Sequence, residues 1–172
     1  VAPHIAEELW GEVGGEGLVA DADWIDAEAP EGYEKEARLV ENTQEDVREI
    51  RDVAGIDDPE VVRVVVAPEW KHRALGVALE TEGDADVMGA VMSDEEVREH
   101  GDDAANYGQF LQKNHRSLDD ELPQDGEVAA LERASWLFEK EFDADVVVER
   151  AEESESDRAS KARPGKPAIE ME

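Results

Sequence analysis

Hydrophobic residues recur along this chain with two different spacings, which separate helical segments from strand segments. Over residues 33–54, apolar or small side chains return every three or four positions, and Gly55 follows. That period predicts one amphipathic helix with a single buried face, ended by the glycine. Residues 61–66 are five valines and one arginine, a β-branched run that predicts a buried strand.

The segments after this strand have mostly helical spacing. Residues 70–78 and 102–116 predict helices, and residues 128–142 carry a strong apolar stripe of the same period. Between them, Ser93 and Glu96 have the spacing of a capping box, in which each side chain accepts a hydrogen bond from the other residue's free backbone N–H. We therefore expect three helical regions after the first strand.

Two further strands complete the predicted fold. Residues 145–149 are rich in valine and residues 168–171 are short and apolar, so both are predicted strands. Strands separated by helices favour a parallel pair joined by a right-handed crossover. Residues 57–172 are thus predicted to form a small α/β domain of β-α-α-α-β-β order, with Phe138 in its core.

The first part of the chain is predicted to be helical. Pro3 suits the first position of a helix, because its missing N–H needs no partner there. Together with the helix over residues 33–54, it makes residues 1–56 resemble the last two helices of a bundle. The predicted fold class is α+β or α/β, divided into residues 1–56 and 57–172.

Charge changes this picture more than any other feature of the composition. The chain of 172 residues has 47 acidic and 17 basic residues, a net charge of −30. High net charge is typical of disorder, but 40% of the residues are hydrophobic and they fall at regular spacings. We therefore interpret the chain as a folded, halophile-type acidic protein rather than as an acidic interaction tail.

Several kinds of function are not supported by the sequence. There is no cysteine, so disulfides and thiolate metal sites are excluded, as suits a cytoplasmic protein. The four histidines lie outside any His-Glu-x-x-His pattern, and no serine has a Gly-x-Ser-x-Gly context, so we predict neither metal ligands nor catalytic residues. No apolar run approaches the roughly 20 residues that span a bilayer.

Basic residues are scarce enough that their clusters predict binding sites. A protein this acidic is expected to keep positive charge where a phosphate needs it, although the alternative is that these residues neutralise nearby carboxylates. The predicted RNA-binding residues form three clusters: Lys71 and Arg73; Lys113, His115 and Arg116; and Arg158, Lys161, Arg163 and Lys166.

High salt limits how such clusters can bind RNA. The screening length is about 3 Å at 1 M salt, and counterion release then adds little affinity. Affinity must come from short hydrogen bonds, shape and stacking of unpaired bases on aromatic side chains. Trp70 and Tyr107 are candidates for stacking, although core packing is the more ordinary role of an aromatic residue on a helix.

Three segments resemble one enzyme family. Residues 3–10 read Pro-His-Ile-Ala-Glu-Glu-Leu-Trp, residues 66–71 read Val-Ala-Pro-Glu-Trp-Lys, and residues 166–169 read Lys-Pro-Ala-Ile before an acidic end. The first segment resembles a helix in the anticodon-binding domain of class Ia aminoacyl-tRNA synthetases. The other two resemble the end of archaeal-type leucyl-tRNA synthetases. The resemblance runs in order over nearly the whole chain.

The resemblance implies a function that the pattern of hydrophobic and polar residues alone does not indicate. Residues 1–56 would end the anticodon-binding bundle, and residues 57–172 would be a C-terminal extension that grips the long variable arm of leucine tRNA. The partners implied are leucine tRNA and the rest of the synthetase chain, with no DNA and no membrane. The parent enzyme would use ATP and Mg²⁺ to attach leucine. This chain lacks the family's His-Ile-Gly-His and Lys-Met-Ser-Lys-Ser signatures, and it begins with valine, so we expect a tRNA-binding fragment without cofactors of its own.

Two alternatives remain at this level. One is a free-standing RNA-binding module without a catalytic parent, against which the apolar face of the helical remnant argues. The other is an acidic, halophilic protein-interaction domain, against which the positively charged residues 158–166 argue.

Overall fold

The computed structural model describes residues 3–12, 14, 16–22, 30, 32–56, 58–82 and 86–172. By internal contacts the chain divides into two compact units, Val1–Pro30 and Glu31–Glu172. None of the helices in the described residues is long and apolar enough to span a membrane.

The described residues of the first unit form one helix and a short 3-10 turn. Helix α1, Pro3–Glu12, begins at the proline as predicted. The Glu7 carboxylate accepts a hydrogen bond of 2.8 Å from the backbone N–H of Val19, which ties the turn to the helix. The spacing of Ile5 and Leu9 predicts one apolar face of this helix, and both side chains are more than half exposed.

The second unit contains three strands and, in its described residues, six α-helices. Helix α2 is the long predicted helix, and its C-terminus at Gly55 is confirmed by a left-handed backbone with φ of 67°. The elements in order are α2 Tyr33–Ala54, β1 Val61–Val66, α3 Glu69–Glu80, α4 Val87–Ser93, α5 Glu95–Arg98, α6 Gly101–Asn114, α7 Gln124–Phe142, β2 Asp145–Arg150 and β3 Ala168–Met171.

The sheet confirms the predicted strands. Its order is β2-β1-β3, with β1 parallel to β2 and antiparallel to β3. Four of the five valines of β1 are buried because this strand lies in the middle. The edge strand β2 leaves Val147 38% exposed. The valine-rich run therefore marked the central strand.

The helices between β1 and β2 differ from the prediction. The described residues contain five there, α3 to α7, where three were expected. The predicted capping box is also wrong: Asp94 caps α5 by accepting from the N–H groups of Glu96 and Val97, while Ser93 donates to the Gly89 carbonyl. The helical structure is interrupted again between α5 and α6, where Gly101 has φ of 55°. The cap at Asp94 and the left-handed Gly101 thus separate the three helices α4, α5 and α6.

The buried face of α2 is rotated from the predicted stripe. The spacing of residues 33–54 places Tyr33, Val47 and Ala54 on one stripe. Val47 is buried, together with Leu39 and Thr43, whereas Tyr33 and Ala54 are exposed. This face packs on α7, and an Arg48–Glu141 ion pair joins the two helices at their surface. The compact units therefore divide between residues 30 and 31 rather than at the predicted domain boundary of 56–57. Residue 57 lies outside the described residues, and that domain assignment remains a prediction.

Two hydrophobic clusters hold the second unit together. In the first, Phe138 packs among α2, α7 and the sheet and is 1% exposed, which confirms its predicted place in the core. In the second, helices α3, α4 and α6 pack around Leu111. A small third cluster, containing Val65 and Ala162, holds residues 158–166 against the sheet. That last contact fixes the position of the candidate interface.

Candidate nucleic-acid interface

Residues 158–166, called here the tail segment, fold into two tight turns. A 3-10 turn covers Ala159–Lys161, and the backbones of Arg163 and Lys166 then exchange two hydrogen bonds around a Pro-Gly corner. Gly165 has φ of 71°, and a Cβ there would lie 2.5 Å from the Glu121 side chain. Glycine is therefore required for the corner that brings the basic residues together.

The structure brings the four predicted cations of the tail segment to one shallow depression of about 330 Å³. Arg158 donates to the Ile169 carbonyl at 3.2 Å, and Lys161 is exposed. Lys166 pairs with Asp46 at 3.3 Å. Asp46 and Glu49 of α2 form the opposite wall, so the surface has charges of both signs.

Lys71 supports the tail segment from below. Its ammonium donates to the carbonyl oxygens of Ser160 and Ala162, each at 2.7 Å, and the residue is 6% exposed. Burial lowers the pKa of Lys71, because removing water disfavours its charged form. The geometry therefore gives Lys71 a bracing role under the tail backbone.

The other predicted residues lie apart from the tail segment. Arg73 is held by Asp94 at 2.8 Å and by Glu96 at 3.0 Å, and the hydrogen bond that it donates to Asp94 raises its pKa. His115 donates through Nε2 to the Ala78 carbonyl at 3.0 Å. Lys113, in the last turn of α6, and Arg116, in the 3-10 turn that follows it, are exposed. None of these four lines the depression of the tail segment.

A second concave surface adjoins the tail segment. This aromatic cleft, about 460 Å³, is lined by side chains of α3 and α6 and by the residues that follow β1 and β2. The Trp70 ring stacks on His100 with centroids 4.7 Å apart and meets Tyr107 edge-on at 5.8 Å. The Arg163 guanidinium lies 4.5 Å over the Phe110 ring. The sequence analysis named Trp70 and Tyr107 as candidates for stacking but not Phe110 and His100. Their positions in or next to α6, the helix of Tyr107, are the sequence feature that could have indicated them.

A buried acid–base pair lies beneath the same turn. Glu127 has no exposed surface, and one of its carboxylate oxygens accepts from the Gly165 N–H at 2.6 Å. Its other oxygen lies 3.9 Å from His72 Nε2, and neither atom has a hydrogen-bond partner. Burial raises the pKa of Glu127 to about 8 and lowers the pKa of His72. Both shifts favour neutral groups, so the contact is not a stable ion pair. This pair was not predicted from the sequence, because the charge of a residue does not indicate how deeply its side chain is buried.

Comparison with known proteins finds one family model and several relatives that match this chain. Residues 1–66 match the family model described as the anticodon-binding domain of tRNA ligase. The whole chain is 45% identical to the leucine–tRNA ligase of Halobacterium salinarum, of which it covers 19%. Over its whole length the chain is similar to leucyl-tRNA synthetases. The resemblance seen in the sequence is thereby confirmed, and the acidic composition fits a halophilic relative.

Other synthetases of this family match over the same extent. The chain is 35% identical to the leucine–tRNA ligase of Pyrococcus abyssi over 99% of its length, covering 18% of that protein. With the enzyme of Methanopyrus kandleri the identity is 33%, covering 19% of that protein. The chain therefore spans about a fifth of the length of the curated relatives it matches.

Proposed function

We propose that this chain is the C-terminal, tRNA-binding part of an archaeal-type leucyl-tRNA synthetase and that it recognises leucine tRNA by its long variable arm. The observation that carries the proposal is the similarity to leucine–tRNA ligases over the whole chain. The match of residues 1–66 to an anticodon-binding domain supports contact with tRNA in particular. Of the alternatives, neither a free-standing RNA-binding module nor an acidic interaction domain accounts for these relatives.

The tail segment supplies a physical basis for phosphate contact. A chain with 47 acidic and 17 basic residues has four basic side chains around one depression, on a backbone fixed by Lys71 and Glu127. At molar salt the screening length is about 3 Å, so repulsion between RNA and distant carboxylates is largely removed. Hydrogen bonds from lysine and arginine to phosphate act at contact distance and therefore persist.

The Mg²⁺ implied by the resemblance has no fitting site in the part of the chain described by the structure. No group of three or more histidine, aspartate or glutamate residues there could hold a metal ion. The sequence also lacks both adenylate-forming signatures. We therefore assign leucine activation to other parts of a synthetase and tRNA contact to this one.

The proposal is tested by removing the four tail charges. The test variant replaces the tail cations by glutamine, and a matched control makes the same charge change at two arginines and two lysines elsewhere. The test set is Arg158, Lys161, Arg163 and Lys166, and the control set is Arg98, Arg133, Lys35 and Lys140. Affinity for leucine tRNA is measured at molar salt, with circular dichroism to confirm folding.

The test variant should bind about tenfold more weakly, since four exposed charged contacts of a few tenths of a kcal/mol each sum to roughly 1.4 kcal/mol. The control should bind as the unmodified chain does. Equal losses in both variants would mean that only net charge matters. An unchanged affinity in a folded test variant would remove the tail segment from the interface.

A further inference from the structure

The aromatic cleft lies where α/β proteins most often bind ligands. Strands β1 and β2 are parallel, so their carboxyl ends meet at the same edge of the sheet. Pro68, which follows β1, and Ala151 and Glu152, which follow β2, all line the cleft. Ligands of open α/β sheets characteristically bind outside the carboxyl ends of the strands. The position of the cleft is therefore set by the fold itself.

The chemistry of the cleft suits a flat, aromatic ligand. Trp70, Tyr107, Phe110 and His100 all line it, and their rings stack on one another or meet edge-on. Trp70 and Phe110 remain only partly buried. Unpaired bases bind proteins by stacking on such rings and on arginine planes, and the Arg163 guanidinium lies over Phe110.

The charge of the cleft favours an anionic group beside that ring system. Its lining contains three cations, Lys71, Lys161 and Arg163, and two carboxylates, Asp103 and Glu152. This reverses the balance of the chain as a whole, in which acidic residues outnumber basic ones by 47 to 17. The Glu152 carboxylate is already engaged, because it accepts hydrogen bonds from the Glu69 N–H and from Gln124.

We infer that this cleft receives one unpaired nucleobase of the bound tRNA, with the adjoining phosphate at Lys161 and Arg163. A volume of about 460 Å³ lies within the range of about 300–1,000 Å³ typical of small-molecule pockets and can accept a nucleotide. Asn106 and Ser160, both exposed at the cleft, offer donors and acceptors to the edge of the base. The inference rests on the proposed function, because it takes the ligand from the same tRNA.

The first test locates the base directly and needs no variant. Leucine tRNA carrying 4-thiouridine in place of uridine is irradiated with the 172-residue chain, and the crosslinked peptides are identified by mass spectrometry. We expect crosslinks in peptides that contain Trp70, residues 100–110 or residues 159–163. If the tRNA binds and crosslinks form only in other peptides, the cleft assignment is overturned while the proposed function stands.

The second test uses a variant confined to the cleft. Phe110→Leu keeps an apolar side chain for packing but removes the ring, and Trp136→Leu makes a comparable change at a ring that is exposed and does not line the cleft. Stacking on one aromatic is worth enough that Phe110→Leu should weaken tRNA binding about five- to tenfold. Trp136→Leu should leave the affinity unchanged.

The outcomes separate the two proposals. Wild-type affinity in folded Phe110→Leu would overturn the cleft assignment but not the role of the tail segment. Absence of any preference for leucine tRNA in the unmodified chain would overturn the proposed function, and the cleft assignment with it. Tight binding of a free nucleoside monophosphate, with no tRNA crosslink in the cleft, would assign the site to a small nucleotide and contradict the inference.

Discussion

At the scale of single residues, Glu127 gives the sharpest pH prediction. Its ordinary pKa of 4.5 is raised to about 8 by burial, so the unfolded chain releases this proton well before the folded protein does. Between these pH values the folded state binds the extra proton, and stability therefore falls as pH rises, by at most about 1.4 kcal/mol per pH unit. The buried pair of Glu127 and His72 should thus destabilise the fold in mildly alkaline solution.

Replacing Glu127 by glutamine should abolish that slope. Glutamine can still accept from the Gly165 N–H, and its NH₂ group can donate to His72 Nε2. Since the lowered pKa of His72 acts below its ordinary value of 6.5, melting temperatures between pH 6.5 and 8 isolate Glu127. We expect the variant to become the more stable protein toward pH 8. Exposed Glu139 on the same helix gives the control Glu139→Gln, and parallel curves for both variants and the unmodified chain would contradict the account.

Phe138 gives the corresponding prediction for packing. Because its ring is fully enclosed by α2, the sheet and its own helix, Phe138→Ala should lower the free energy of unfolding by about 3–5 kcal/mol. Trp136→Ala, two residues away but 57% exposed, should change it by less than about 0.5 kcal/mol. Denaturant unfolding measures both. Similar losses at the two positions would show that α7 packs through a different face.

At the scale of elements, the spacing of hydrophobic residues predicted the helices and strands whose buried positions recur regularly. The valine run of β1 and the apolar stripe of α7 each face one core, so their buried positions recur regularly along the sequence. The breaks at Asp94 and Gly101 could not be predicted in the same way. They depend on a single side-chain cap and a single left-handed residue. The face of α2 was misplaced because Thr43, a polar residue satisfied by the Leu39 carbonyl, occupies a buried position.

The tail segment is an element whose order depends on one buried lysine. Lys71→Met keeps the length and apolar stem of the side chain but removes the donors to Ser160 and Ala162. The buried Ala162 carbonyl then lacks its partner, which should cost about 1–3 kcal/mol. Hydrogen exchange should accelerate over residues 158–166 more than elsewhere. Lys140→Met, at an exposed position of α7, should have no such effect, and unchanged exchange in Lys71→Met would refute the bracing role.

At the scale of the whole molecule, sequence indicated the chemistry of the site better than its geometry. Scarcity of basic residues made the tail cluster visible, and the structure gathers its four members at one depression. Lys71 and Arg73 look alike in sequence, yet one is buried under the tail and the other is paired on the surface. The aromatic cleft escaped prediction because its walls come from four separate segments that only the parallel sheet brings together.

Net charge predicts how the whole fold responds to salt. At −30 the carboxylates repel one another, and lowering the salt from about 1 M to about 0.1 M lengthens the screening distance from about 3 Å to about 10 Å. The melting temperature followed by circular dichroism should therefore fall steadily over this range. A melting temperature independent of salt would remove the argument for a halophile-type protein.

We propose that this chain recognises leucine tRNA by its long variable arm. The most direct measurement is the affinity of the 172-residue chain for leucine tRNA at molar salt, compared with the same tRNA whose variable arm has been shortened. We predict clearly weaker binding to the shortened tRNA, and a smaller effect of the tail substitutions on it, because their partner is then missing. Equal affinity for the two tRNAs would contradict the claim.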